Sequence, residues 1–329
     1  ARQLGETLMS AAQLDLKQGS RVIIVPDGLL GLLPFGTLRP AMGNNDRNPV
    51  YLDDRWLITY EHSASTLALS RTVRMPMATR LLFALGNPVF DRNDPRYRSY
   101  RQERSTVEMP SAAQGQYAYR GLSVQPRPAA GKDGHTGWGE ILYQPLPETE
   151  TEVLAIAATM GVRPVPPDVL LGALASKGML MKTRLSDYRY LHFATHADLP
   201  GKVQGVGEPF ILLGQALNQE QSDVFLTLSE IADLQLHADM VMLSACNTGK
   251  GDLVAGEGLA NLARAFQHAG ARSVVSSLWQ VASEPAVEYM KSFYRHLRKK
   301  NSRAMALSLA RREIRKKYDS PFYWSVFVL

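Results

Sequence analysis

Cys246 is the only cysteine in the 329-residue chain, and it closes the apolar run "DMVMLSAC" just before a small-residue turn, "NTGKG". Two of the seven histidines, His192 and His196, stand in another apolar run, "RYLHFATH". A free thiol titrates near pH ~8.5 and needs a cationic or dipolar neighbour to become a thiolate at neutral pH. An imidazole within hydrogen-bond reach supplies that and can later protonate a leaving amine, so Cys and His together spell acyl transfer. The small residues after Cys246 leave its own N–H available to a substrate carbonyl. Such an oxyanion donor is worth roughly 3–4 kcal/mol. The competing reading is packing, because free cysteine is among the most buried residue types.

Other chemistries fit less well. "HFATH" places Phe193 where a helical zinc-protease motif needs glutamate, and its run reads as a strand. "GKGDLVAGEG" matches neither the Walker-A nor the dinucleotide glycine spacing, with valine at position 254. His192, four residues before His196, reads as a packed or supporting histidine.

These residues need elements to hold them. "RVIIVPDG", "WLITYEHS", "RLLFALGNP", "RYLHFATH", "DMVMLSAC" and "RSVVSSLWQV" are short continuous apolar runs, as strands buried on both faces are. Between them, "PETETEVLAIAATMG" and "EGLANLARAFQHAGA" carry helical periodicity. Thr149 with Glu152, and Thr227 with Glu230, have capping-box spacing. Strand–helix alternation predicts a mainly parallel sheet covered on both faces. His196 and Cys246 each close a strand, and reactive groups in such sheets collect beyond the carboxyl ends. From about Asn87 to Pro147 periodicity is lost, which reads as a long mobile loop or insertion.

Composition sets the outer bounds. A lone cysteine excludes an internal disulfide framework and fits a reducing compartment. No apolar stretch approaches the ~20 residues of a membrane span, and the first residues carry no secretory signal. The chain carries a formal charge of +6, and the segment Lys291 to Tyr318 exceeds it, with Glu313 as its one acid. That segment reads as a solvated helix face, or as a footprint for an anionic partner. "DRNDPRYRSYRQER" interleaves Arg92, Arg96, Arg98, Arg101 and Arg104 with Tyr97 and Tyr100, as base-stacking surfaces do.

The blocks "VIIVPDGLLGLLPFGTL", "LLFALGNPVF", "LHFATH", "LSACNTGKG…GEGLANLARAFQHAGARSVVSSLWQV" and "PFYWSVFVL" together resemble a CHAT domain. This caspase-related peptidase family is often fused to tetratricopeptide repeats and is similar to separase. The resemblance implies a caspase-like α/β fold, a mainly parallel sheet sandwiched by helices. It divides the chain into a degenerate half, 1–147, with an insertion at about 87–147, and a catalytic half, 148–329. It assigns the general base to His196 and the nucleophile to Cys246, 50 residues apart as in caspase-type enzymes. The oxyanion hole falls to the N–H groups of Ala197 and Cys246. Alanine replaces the family's usual glycine at 197, keeping the N–H but disfavouring positive φ.

The substrate pocket is expected around Asp198, Trp279, Ser283 and Glu284, while Glu257 shapes a loop. Ala282 and Ser283 stand where relatives carry acids that receive an arginine P1 side chain. A buried guanidinium without a carboxylate is costly, so a neutral P1 residue is expected. The implied protein is a cytoplasmic, bacterial-type cysteine endopeptidase acting on a protein substrate without a cofactor or metal. A repeat or sensor domain, in cis or in a complex, would control it. Nucleic acid would be an indirect partner at most. Two alternatives stay open: a catalytically silent scaffold that binds partners, and a nucleic-acid-binding module using the basic segments.

Overall fold

The computed structural model describes residues 2–12, 16–39, 49–72, 76–90, 94–96, 143–200, 203, 206–215, 224–245, 255–279 and 283–329. Helix α1 (Arg2–Ala12) leads into strand β1 (Arg21–Ile24), and a one-turn helix α2 (Leu52–Arg55) precedes β2 (Leu57–Tyr60). β1 and β2 pair in parallel as a small separate sheet. Phe35, Leu38, Leu52, Trp56 and Ile58 form its own apolar cluster.

After α3 (Ala64–Thr72) come β3 (Arg80–Gly86), α4 (Pro147–Met160), β4 (Val169–Leu171), α5 (Lys177–Lys182) and β5 (Tyr188–Ala194). A second small sheet of β6 (Ala197–Asp198), β7 (Phe210–Leu212) and β8 (Phe225–Thr227) follows. The chain continues through α6 (Leu228–Ala232), β9 (Met240–Leu243), α7 (Ala255–His268), β10 (Val274–Ser277) and α8 (Ser283–Arg298). It finishes with α9 (Arg303–Arg315), α10 (Pro321–Trp324) and β11 (Phe327–Val328).

The main sheet has the order β11-β10-β9-β5-β3-β4, parallel throughout except for β11. Alternation along the strands divides the core in two. Leu82, Tyr190, Met240 and Val275 face α4, α8 and α9. Phe83, Leu191, Val241 and Val274 face α5, α6 and α7. Two covered faces explain why these strands read as unbroken apolar runs rather than alternating ones. Gly86 lets α4 close on β3, since a Cβ there would stand 2.8 Å from the Thr149 carbonyl oxygen. Among the described residues no helix is long and apolar enough to cross a membrane.

Three expectations change. The Thr227–Glu230 capping box forms, but the Thr149–Glu152 box does not. Pro147 opens α4 with Leu146 as its N-cap, so both residues fall inside the helix. Thr149 Oγ1 donates to the Leu146 carbonyl instead, and Glu152 turns into the sheet. The basic C-terminal segment is also not a plain solvated face. Arg311, 5% exposed, donates to Asp53 at 2.7 Å, while Arg312 and Arg315 reach Asp54. Burial opposes the Arg311 charge, but Asp53 and the polar groups around it more than restore it and raise its pKa. These arginines fasten the β1–β2 unit to the main body. Finally, the edges of the stretch from Asn87 to Pro147 are built into the structure: Val89 is fully buried, and Leu146 is too. Arg92, Tyr97, Arg98, Tyr100, Arg101 and Arg104 lie outside the described residues, and Arg96 pairs with Asp94 at 2.6 Å.

Removing one member of a buried ion pair strands the other, at a cost of about 3–5 kcal/mol. Asp53→Ala is therefore expected to lose about that much stability in urea unfolding. The double substitution Asp53→Leu with Arg311→Met should recover most of it, because neither charge then needs a partner. An Asp53→Ala protein as stable as the parent would show that the pair does not fasten the two units.

Candidate active site

β5 carries the site. Its register with β9 pairs Tyr190 with Met240 and ends at Phe193 opposite Leu243. Beyond Ala194 the chain leaves the sheet, and Thr195 Oγ1 donates to the Leu212 carbonyl at 2.7 Å. That bond ties the exit of β5 to β7 and turns His196 over the sheet's carboxyl edge.

His196 is 1% exposed. Its Nε2 lies 2.8 Å from the Gln144 main-chain carbonyl. A carbonyl only accepts, so Nε2 must donate, and in the neutral ring Nδ1 is then the basic nitrogen. Phe90 and Tyr143 flank the imidazole, with ring centroids at 5.2 and 5.4 Å. The two rings also meet each other at 6.1 Å. One ring comes from just after β3 and the other from just before α4, so both ends of the expected insertion converge on the histidine. Burial, and then the Asp198 carboxylate, push the Tyr143 hydroxyl well above its ordinary pKa. It therefore stays protonated beside His196.

Ala197 and Asp198 form β6. The His196 carbonyl accepts from Leu212 N at 2.9 Å, so that pair is a hydrogen-bonded one. Ala197 pairs with Ile211 next along the ladder. Antiparallel alternation then turns the Ala197 N–H away from β7. Among the described residues, the non-glycines at positive φ are Asn87 and Lys300. Ala197 is extended, so alanine in place of glycine imposes no strain here.

The remaining site candidates differ in their surroundings. Asp198 is 2% exposed, accepts from its neighbour's N–H at Leu199, and lies near Tyr143. Trp279 is half-buried, donates to the Phe322 carbonyl at 3.0 Å and stacks on the Phe322 ring. Glu284 is exposed in the first turn of α8, where Ser283 begins the helix. Cys246, Ala282 and the loop around them lie outside the described residues, as does the side chain of Glu257. Sequence reading missed Phe90, Tyr143 and Gln144. The aromatics could have been noticed as apolar residues at the borders of the polar stretch, but a main-chain carbonyl leaves no mark in residue type.

His192 proves to be a packed histidine with partners. Its Nε2 meets Glu152 Oε1 at 2.9 Å and its Nδ1 meets the Tyr294 hydroxyl at 3.1 Å. All three residues are fully buried.

A mainly parallel sheet covered by helices on both faces, with a buried histidine just beyond the end of a central strand, defines the class as a doubly covered α/β protein. The chain belongs to the CHAT domain family, whose model matches residues 1–329. It is similar to tetratricopeptide repeat protein 28 of Homo sapiens, 23% identical over 342 residues, covering 94% of this chain and 12% of that protein. The Mus musculus protein of the same name is 25% identical over 218 residues, covering 57% of this chain and 9% of that protein. The chain thus spans about a tenth of the length of these relatives. Among solved structures it is similar to the Arg specific cysteine proteinase gingipain R, with a TM-score of 0.46 and 10% identity. That match covers 94% of this chain and 62% of the other.

The aromatic flanks and the Gln144 carbonyl make one expectation spectroscopic. Nitrogen-15 NMR of the neutral protein should show His196 protonated on Nε2. Phe90→Ala should shift the population toward a mixture of tautomers, whereas Tyr143→Phe should leave it unchanged. An Nδ1-protonated ring in the parent protein would overturn the assignment of the basic nitrogen.

Proposed function

We propose that the chain is a cysteine endopeptidase domain in which His196 is the general base and Cys246 the nucleophile. The observation that carries the reading is the bond from His196 Nε2 to the Gln144 carbonyl, which leaves Nδ1 as the base. The strand register supports it. Phe193 pairs with Leu243, and His196 and Cys246 each come three residues later in their chains. Ala245, the residue before Cys246, is fully buried at the end of β9. The Ala197 N–H, turned off its ladder, supports the assignment of one oxyanion donor, with the Cys246 N–H as the second.

In this reading the Cys246 thiolate attacks the scissile carbonyl carbon, and the two N–H groups hold the oxyanion. The C–N bond then breaks, the amine leaves with a proton from His196 Nδ1, and a thioester remains. Nδ1 next takes a proton from water, whose oxygen displaces the Cys246 sulfur and releases the acid. The lone cysteine needs to stay a free thiol, which favours a reducing, cytoplasmic setting. The division at residue 147 and a degenerate first half remain part of this proposal. Matches covering about a tenth of tetratricopeptide repeat proteins support a repeat region as the controlling partner. The ties from Arg311, Arg312 and Arg315 to Asp53 and Asp54 weigh against a nucleic-acid role for that segment.

Two outcomes are expected. Iodoacetamide should modify Cys246 at neutral pH faster than a model thiol, and His196→Ala should slow this at least about 10-fold. Equal rates in the two proteins would remove the thiolate–imidazole pair. In a peptide-library digest, Cys246→Ala should abolish cleavage. The parent should accept neutral P1 residues, because Asp198 is turned inward on the Leu199 N–H and Ala282 supplies no carboxylate. Cleavage only after arginine or lysine would refute that specificity.

A further inference from the structure

The opposite, amino end of the same sheet holds a second concentration of charge. Arg189 is the second residue of β5, Asp239 precedes β9, Arg272 precedes β10, and Arg303 begins α9. Arg189 Nε reaches Asp239 Oδ2 at 2.6 Å, and Arg272 Nε stands 3.8 Å from Oδ1. Arg303 donates to the Asp239 main-chain carbonyl. Two guanidiniums thus share one carboxylate and a third sits on the same residue's main-chain carbonyl, a local excess of two positive charges. Burial pulls the Arg303 pKa down, and Arg272 and Arg189 repel it, against the attraction of Asp239. Arginine nonetheless stays charged at neutral pH.

This cluster lines a cleft of about 1160 Å³ between the main sheet and the β1–β2 unit. Arg21 and Arg264 add charge to its walls, while Asp27 and Glu61 stand on the β1–β2 side. The 13-residue helix α9 points its amino end into the same space: Ser302 caps it, accepting from Met305 N, and Ser302, Arg303 and Ala304 are wall residues. The positive end of a helix dipole adds to guanidiniums that already exceed their counter-charge. Arginine forks match phosphate oxygens in pairs, so the chemistry selects for phosphate.

We propose that this cleft is a binding site for a small multiply phosphorylated ligand, held by Arg189, Arg272 and Arg303 at the amino end of the sheet. It is separate from the histidine at the carboxyl end and does not depend on the peptidase reading. The ligand would displace Asp239 as the shared partner and neutralise the excess charge.

Inorganic tripolyphosphate is the probe, titrated by calorimetry into the whole chain in buffered low salt. Saturable 1:1 binding is expected, weakening steeply as salt rises. Arg272→Gln, a half-exposed position, should weaken it at least about fivefold, and Arg303→Gln as much or more. Asp239→Asn removes the competing carboxylate and should tighten it several-fold, a gain that misfolding cannot imitate. Arg184→Gln, at an exposed arginine outside the cleft, should change nothing. Non-saturable binding, indifference to Arg272→Gln, or weaker binding by Asp239→Asn would overturn the site. Tighter binding of a polyglutamate peptide than of tripolyphosphate would overturn the phosphate class.

Discussion

The contact between Glu152 and His192 constrains the placement of everything at the carboxyl end of the sheet. Neither side chain is exposed to solvent. A carboxylate taken out of water is tolerated only with strong partners, because desolvation costs several kcal/mol. Here the His192 ring bridges α4 to α8 through β5, with Glu152 on one nitrogen and Tyr294 on the other. Burial, and then the Glu152 charge, hold the Tyr294 pKa far above its ordinary value. Its hydroxyl keeps its proton and can donate to Nδ1 while Nε2–H donates to the carboxylate. A slip of α4 by one residue would leave a buried charge unpaired. The same helix begins at Pro147, three residues after Gln144, so the lock on α4 also fixes the carbonyl that orients His196.

β5 and β9 therefore carry chemically distinct residues at their two ends, and β10 adds a charge at its amino end. Their amino ends supply Arg189, Asp239 and Arg272, and the carboxyl ends of β5 and β9 lead to His196 and Cys246. Parallel pairing is what makes this possible, since it gathers like ends on one edge. Charge is arranged to match. The amino end crowds arginines around one aspartate, whereas His196 is flanked by two aromatic rings and held by the Gln144 carbonyl. An imidazole enclosed by Phe90 and Tyr143 is screened little by water, so a nearby thiolate would interact with it strongly.

Much of this was legible in sequence where the determinant is local. The strands announce themselves as apolar runs because both faces of the sheet are covered, and Thr227 with Glu230 forms the cap that their spacing predicts. Thr149 and Glu152 have the same spacing and fail. Periodicity cannot say that Pro147 has already started the helix, nor that a histidine waits across the core. The basic segment misleads for the same reason. Asp53 and Asp54 lie more than 250 positions away from Arg311, Arg312 and Arg315, and no window of sequence contains both sides of those pairs. The apolar run brought His196 to within two residues of the end of β5, while its neighbours came from the aperiodic stretch and were invisible.

The pair of histidines in "HFATH" shows how such a distinction is made physically. Four residues apart on an uninterrupted strand, both would face α4 and α8. The strand stops at Ala194, and Thr195 spends its hydroxyl on the Leu212 carbonyl of β7 rather than continuing the ladder. His192 therefore remains under the helices, with both nitrogens engaged by side chains in the core. His196 passes to the edge, where a main-chain carbonyl takes one nitrogen and β6 begins immediately after it. The tautomer of each ring is set by what accepts its Nε2 proton: a carboxylate for His192 and a carbonyl for His196. A carboxylate sealed in the core with its histidine serves to hold helices in place. A neutral carbonyl fixes the ring without a formal charge of its own, so the imidazole at the edge is oriented by a main-chain group and not by an ion pair.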